Sequence, residues 1–378
     1  MEAEPRAREL GIRIGRYAPG PLDAITDVAG VRVGHATLIS GDGPLRVGTG
    51  PVRTGVTVVV PHDGIEDRPL FAGCHRLNGN GEVTGLDWIR EAGMLTSPIA
   101  ITNTHSVGVV RDALVAADVH GRRRGQFRWS LPVVGETWDG MLNDIDGQHV
   151  RAEHLWAALE AASDGPVPEG NVGGGTGMVC HEFKGGIGTA SRALPREEGG
   201  YVVGALVQSN YGRRERLTVD GVPVGREIPG SEVPSPYDHP AGAEAGSIIV
   251  VLATDAPLLP HQCERVAQRA GLGIARAGGV GAHSSGDFFV CFATGNADVL
   301  PDPEGEREAT APTTGVTMVA DPHITPLFEA AVDATEAAIV NALLAARTMT
   351  GRDGITAHAL PHDRLRAVMA RYGRAADG

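Results

Sequence analysis

A serine that stands where a loose segment meets a core strand can do chemistry that a serine elsewhere cannot. Residues 213–246 form a long Pro/Gly-rich stretch that includes Gly221-Val-Pro-Val-Gly, Ile228-Pro-Gly-Ser-Glu-Val-Pro-Ser-Pro and His239-Pro-Ala-Gly-Ala-Glu-Ala-Gly. It ends at Glu244-Ala-Gly-Ser, where the strongly apolar run Ser247-Ile-Ile-Val-Val-Leu-Ala253 begins. A connector this long within a compact unit is usually functional or disordered. Cleavage between Gly246 and Ser247 would leave Ser247 as a new N-terminus fixed by a sheet. Its hydroxyl would attack, and its own α-amine would be the adjacent base. With an ordinary pKa of about 7.7–8.0, that amine is partly neutral at physiological pH. Glycine before the serine permits the strained backbone that attack on the preceding carbonyl requires. Taken alone, the junction is more often an ordinary linker entering a strand.

A second residue is singled out by rarity. Lysine and arginine together number 33, and Lys184 is the only lysine among them. Lys is a compact charge whose pKa shifts on burial, which Arg cannot do. Its setting, His181-Glu-Phe-Lys-Gly-Gly-Ile-Gly-Thr189, makes it a candidate site residue, against the plain reading of one surviving surface lysine.

These groups must be positioned by something, and the chain supplies elements for it. Hydrophobic residues make up 42 % and charged residues 21 %, ordinary globular proportions that allow a sizeable core. Strands are predicted at Gly55–Val60, Ser97–Thr102, Gly200–Val207, Ser247–Ala253 and Asp287–Ala293. Most are continuous apolar runs, which predicts cover on both faces. Helices are predicted at Val83–Ala92, Ser106–Val119, Val150–Ala162, Pro260–Ala277 and Thr325–Thr348. The last is small and apolar almost all round, so it is expected against a sheet or a neighbouring subunit. Glycine, at 53 of 378 residues, is about twice its ordinary usage and clusters in short runs between these strands. The sum is an α/β layered protein.

Other chemistries are excluded by pattern. The net charge of −13 argues against a nucleic-acid partner. The one dense basic run, Arg122-Arg-Arg124 with Arg128, reads as a solvated loop. Cys74, Cys180, Cys263 and Cys291 are scattered without a Cys-x-x-Cys pair, which fits buried thiols in a reducing compartment. His181-Glu182 lacks the second histidine of a zinc-protease motif. His75, His105 and His283 have no metal-ligand spacing, so no metal is expected. Gly173-Gly-Gly-Thr-Gly and Gly271-Leu-Gly-Ile-Ala-Arg miss the phosphate-loop and dinucleotide fingerprints, so no cofactor is expected. The charged start Met1-Glu-Ala-Glu-Pro-Arg and the lack of a run of about 20 apolar residues predict no membrane association and a cytoplasmic location.

Several motifs occur together and in order. Gly20-Pro-Leu-Asp-Ala-Ile-Thr-Asp-Val-Ala-Gly-Val-Arg-Val-Gly-His35 opens the series, followed by Gly135-Glu-Thr-Trp-Asp-Gly-Met-Leu-Asn-Asp144 and Gly173–Met178. Lys184-Gly-Gly-Ile-Gly188, Gln208-Ser-Asn-Tyr-Gly212, Ala245-Gly-Ser–Pro257 and Ser284-Ser-Gly-Asp287 complete it. In this combination the chain resembles the L-aminopeptidase/D-esterase and β-aminopeptidase family of self-processing serine hydrolases, over about residues 10 to 350.

The resemblance implies a four-layer α/β/β/α sandwich. The chain would form one structural unit, cut into subunits 1–246 and 247–378 of roughly 26 and 14 kDa. It implies that Ser247 is the released nucleophile and Asn210 the oxyanion donor, with Ser285 and Asp287 hydrogen-bonding around the nucleophile and its amine. A spacing of i, i+2 at a strand start puts those two side chains on one face. Glu136 would bind the free ammonium of a peptide, amide or ester substrate. Trp138 stands where relatives often carry Tyr, and it would line the pocket. Lys184 falls within a motif of the family and joins the catalytic candidates. Relatives assemble as oligomers, which implies a homo-oligomer here. Rival readings are an endo-acting oligoamide hydrolase, an acyltransferase of the same architecture and an uncleaved binding protein.

Overall fold

The computed structural model describes residues 4–122, 129–242, 246–299 and 313–374. The basic run from Arg123 to Arg128 and the linker end Ala243–Ala245 lie outside them. In chain order the elements begin with β1 (Arg32–Ser40), β2 (Val52–Val60), β3 (Leu70–Gly79), α1 (Leu86–Ala92), β4 (Met94–Leu95), β5 (Ile99–Asn103) and α2 (Val107–Gly121). There follow β6 (Val133–Thr137), α3 (Ala152–Glu160), β7 (Val179–Cys180), β8 (Phe183–Lys184), β9 (Gly186–Ala193), β10 (Val202–Asn210) and α4 (Val224–Glu227). The last third holds β11 (Gly246–Thr254), α5 (Pro260–Arg276), β12 (Ser285–Ala293), α6 (Thr325–Ala345), β13 (Met349–Thr350), β14 (Thr356–Ala357) and α7 (His362–Arg371).

Two sheets carry the architecture. One has the order β1-β2-β5-β6, the other β4-β3-β12-β11-β10-β9. Helices α2 and α3 cover the outer face of the four-stranded sheet, and α5 and α6 cover that of the six-stranded sheet. This is the expected α/β/β/α order. Strand alternation divides the core accordingly. Ile248, Val250 and Leu252 of β11 face the α5/α6 layer, whereas Ile249, Val251 and Ala253 face the space between the sheets.

Helix α6 is buried on nearly every side by β9, β10 and α5, so its apolar surface is covered within the chain and needs no neighbouring subunit. Close approach is what small residues provide here. A Cβ on Gly188 of β9 would lie 2.0 Å from the carbonyl oxygen of Ala338.

The Pro/Gly-rich segment after β10 is not the loose connector its composition predicts. Val219, Val222, Val224, Ile228 and Val233 are buried in the main core, and Val219 and Val222 exchange backbone hydrogen bonds. The valines spaced among the glycines and prolines supply the apolar burial that fixes the segment. Among the described residues, no helix is long and apolar enough to cross a membrane.

Candidate active site

Three adjacent strands bring the site together. Ser247, second residue of β11, pairs with Asn210 on antiparallel β10 and with Gly286 on parallel β12. The Ser247 hydroxyl donates to the Gly246 carbonyl oxygen at 2.7 Å and accepts the Gly286 N–H at 3.1 Å. The hydroxyl therefore lies alongside the carbonyl it would attack, with a backbone donor fixing its lone pair. Ser247 is 5 % exposed, so bulk water does not compete for this arrangement.

Asn210 is held at both ends of its amide. Its Oδ1 accepts the Val179 N–H at 2.8 Å, and its Nδ2 donates to the Trp138 carbonyl at 2.9 Å. That leaves one amide hydrogen for a developing oxyanion. Trp138 thus contributes a backbone carbonyl, while its side chain packs against the buried cluster of Met141, Leu142, Val179, Ile355 and Ala357.

Ser285 and Asp287 share a face as their spacing requires: Ser285 Oγ donates to Asp287 Oδ1 at 2.6 Å. Burial pushes the Asp287 carboxyl above its usual range, against the Ser285 hydroxyl and the Ile248 N–H, which hold it down. The pair is one residue to either side of Gly286, which contacts the Ser247 hydroxyl.

Lys184 is fully buried, and its ammonium donates to the carbonyls of Gly175, Met178 and Gly185 at 3.2, 2.8 and 2.7 Å. Burial pulls its pKa down to about 7. One of them goes to the Met178 carbonyl, whose peptide unit donates the Val179 N–H to Asn210, and none of the three is to Ser247.

Glu136 is the next-to-last residue of β6, where parallel strands β5 and β6 finish side by side. The carboxyl ends of parallel strands are where such sheets place ligands. Its Oε1 accepts the Glu82 N–H at 3.0 Å, and its Oε2 accepts the Thr104 hydroxyl. Burial pushes its carboxyl upward in pKa, while the Thr104 and Glu82 hydrogen bonds oppose that shift.

Two groups of residues were missed by sequence reading. Thr104, just beyond β5, fixes Glu136. The end of β3 and the strip after it join the two halves of the site: Asn78 Nδ2 and Asn80 Nδ2 donate to the carbonyls of Ala282 and Ser284, pinning the loop before Ser285, and Glu82 holds Glu136. An Asn-Gly-Asn-Gly run reads as a turn, and the only available signal was its place at the end of a strand.

A two-sheet sandwich between helices, with a buried serine near the start of a central strand, is an arrangement with solved relatives. The L-aminopeptidase D-Ala-esterase/amidase of Ochrobactrum anthropi, described as a variant of the Ntn hydrolase fold, matches with TM-score 0.86 at 44 % identity, covering 99 % of this chain and 100 % of that one. A Burkholderia sp. β-aminopeptidase matches with TM-score 0.90 at 56 % identity, covering 98 % and 99 %. In sequence, the β-peptidyl aminopeptidase BapA of Sphingosinicella microcystinivorans is 49 % identical over 382 residues, 98 % of this chain and 93 % of the relative. The model of peptidase family S58 matches residues 23–357. The chain belongs to peptidase family S58, and it is a hydrolase of the aminopeptidase class.

Proposed function

We propose that the chain cuts itself between Gly246 and Ser247 and then removes N-terminal amino acyl groups through an acyl-enzyme on Ser247. The observation that carries this is the Ser247 hydroxyl, buried beside the Gly246 carbonyl and fixed by the Gly286 N–H. Attack by that hydroxyl on the Gly246 carbonyl carbon converts the amide into an ester and frees the Ser247 amine. Water then releases the Gly246 carboxylate and regenerates the hydroxyl. Subunits 1–246 and 247–378 stay together because β11 lies between β10 and β12 of one sheet.

In turnover the same hydroxyl attacks the substrate carbonyl, with its α-amine as base. The oxyanion takes the second amide hydrogen of Asn210, a contribution typically worth about 10²–10³ in rate. Ser285 and Asp287 support the amine, and Glu136 pairs with the ammonium of the substrate. Lys184 supports Asn210 from behind, and Trp138 walls the pocket. Similarity to two β-aminopeptidases favours β-amino acyl substrates. A homo-oligomer in a cytoplasmic setting completes the reading, and the four buried unpaired cysteines are compatible with a reducing compartment.

The test is turnover of β-alanyl p-nitroanilide beside its N-acetylated form. Hydrolysis of the free amine alone is expected, and equal turnover of both would favour an endo-acting amidase.

A further inference from the structure

Away from the catalytic strands, residues 11–19, Arg8 and Asp23 face β9 and α6 across a cavity of about 530 Å³, which Arg192, Ala337 and Asn341 complete. That volume is within the range of about 300–1,000 Å³ typical of small-molecule sites. The covering segment is tied down at both ends. The Ala7 N–H donates to Asn341 Oδ1 at 3.1 Å, and the Ala18 carbonyl accepts the Ala193 N–H at 2.9 Å. Ile12 and Ile14 enter the core, which leaves Arg13 between them exposed. Arg192 lies six residues beyond Gly186, the end of β9 that pairs with Ser209 near the serine site. At about 3.3 Å per residue the separation is roughly 20 Å. None of the residues assigned to catalysis lines the cavity.

Its wall carries four guanidinium groups and one carboxylate, on a chain whose net charge is −13. Arg16 is paired, with Glu198 at 2.7 Å and Glu329 at 3.0 Å. Asp23 is shared, its Oδ1 3.3 Å from Arg192 Nη1 and its Oδ2 3.8 Å from Arg6 Nη1. The guanidinium groups of Arg8 and Arg13 have no partner among the described residues. Arg192 is 4 % exposed. Its Nη1 donates to the Ser191 carbonyl at 2.6 Å as well as to Asp23, and its Nη2 to the Ile14 carbonyl at 2.7 Å. Its Nε and one Nη2 hydrogen have no acceptor among the described residues. Burial pulls its pKa below the usual guanidinium value, against Asp23, Asp333 and Glu336, and the last two are themselves paired with Arg276. A buried positive charge with incomplete compensation therefore stands beside two unpaired ones.

We propose that this cavity is a binding site for a small dianion, a dicarboxylate or a phosphate, held by Arg8 and Arg13 at its open side and by Arg192 at its buried side. Planar guanidinium groups match carboxylate and phosphate oxygens in bidentate fashion. The bound dianion supplies the counter-charge that Arg192 lacks and ties residues 11–19 to α6. Binding is thereby linked to stability and not to turnover.

The experiment is isothermal titration calorimetry of the purified protein with succinate, inorganic phosphate and acetate at matched ionic strength, beside an Arg8→Ala/Arg13→Ala double variant. Wild type is expected to show one saturable site per chain for succinate or phosphate, a rise in Tm with the same anion, and much weaker binding of acetate. Binding of phosphate alone identifies a phosphate ligand, and binding of succinate alone a dicarboxylate. Each lost charge-assisted hydrogen bond lowers affinity roughly tenfold, so the double variant should bind about a hundredfold more weakly. Its Tm without anion and its turnover of β-alanyl p-nitroanilide should match wild type. Absence of saturable binding in wild type, equal affinity in the double variant, or acetate binding as well as the dianions overturns the site.

Discussion

Lys184 and Asn210 hold opposite ends of one peptide unit. The Lys184 ammonium donates to the Met178 carbonyl at 2.8 Å, and the Val179 N–H of the same unit donates to Asn210 Oδ1 at 2.8 Å. A charge on the carbonyl polarises the peptide and strengthens its N–H as a donor. The amide of Asn210 is thereby fixed in the orientation that turns Nδ2 toward the Trp138 carbonyl.

Replacing Lys184 with Met keeps the side chain's bulk and removes the ammonium's three hydrogen bonds. The Met178 and Gly175 carbonyls keep the N–H groups of Gly185 and Met178, so the Gly185 carbonyl is the one left unpaired. The variant should lose about 1–3 kcal/mol of stability, read by chemical denaturation. Its kcat should fall tenfold or more with little change in KM, because the proposed oxyanion donor Asn210 loosens while the proposed ammonium site at Glu136 is untouched. A normal kcat in a folded variant would reduce Lys184 to a structural residue.

Asn210→Ala removes the proposed oxyanion donor itself. Both kcat and the rate of self-cleavage should fall by about 10²–10³, since each passes through a tetrahedral oxyanion. Time courses of chain cleavage by intact mass, followed by steady-state kinetics on the processed protein, check the two effects separately.

Glu136 must be ionised to hold an ammonium. Its carboxyl is pushed upward by burial, so kcat/KM should fall with decreasing pH along a limb above the ordinary carboxylate range. Thr104 donates to the ionised form and opposes that shift. In Thr104→Val the limb should therefore move to still higher pH, while the pH dependence of kcat stays in place. A pH profile of kcat/KM that does not move would contradict the assignment of Glu136.

Asp139 follows Trp138 and is fully buried, with Asn143 Nδ2 donating to its Oδ1 at 3.0 Å. Burial raises its pKa to about 7, against hydrogen bonds from Thr54, Asn143 and Asn103. The folded chain thus binds this proton more tightly than the unfolded chain, whose Asp titrates near 3.9. Its stabilising contribution is complete below about pH 4 and is lost as pH rises to about 7. Asp139→Asn keeps the neutral shape at every pH. In a Ser247→Ala background, its stability relative to Asp139 should improve from pH 5 to pH 8, measured by denaturant midpoints.

What the sequence made legible was apolar and periodic. The strand beginning at Ser247 and the helices at Pro260 and Thr325 lie within a few residues of their expected ends. Strand β9, Gly-Ile-Gly-Thr-Ala-Ser-Arg-Ala, was not legible because its small residues serve the backbone approach of α6 and leave no apolar run. Strands β1, β3 and β6 mix polar and apolar residues and gave no clean period. At the site, Ser247 was marked by its junction, and Lys184 by being the only lysine. The i, i+2 spacing of Ser285 and Asp287 was enough to place them together. Thr104 was invisible, because it acts through a neighbour that only the fold supplies.

Whether Ser247 becomes an N-terminal nucleophile by cleavage of its own chain is tested directly by intact-mass spectrometry of freshly purified protein beside Ser247→Ala. Fragments matching residues 1–246 and 247–378 are expected from the wild type and one uncut chain from the variant. A single intact chain from both, or the same fragments from both, would contradict self-cleavage by Ser247.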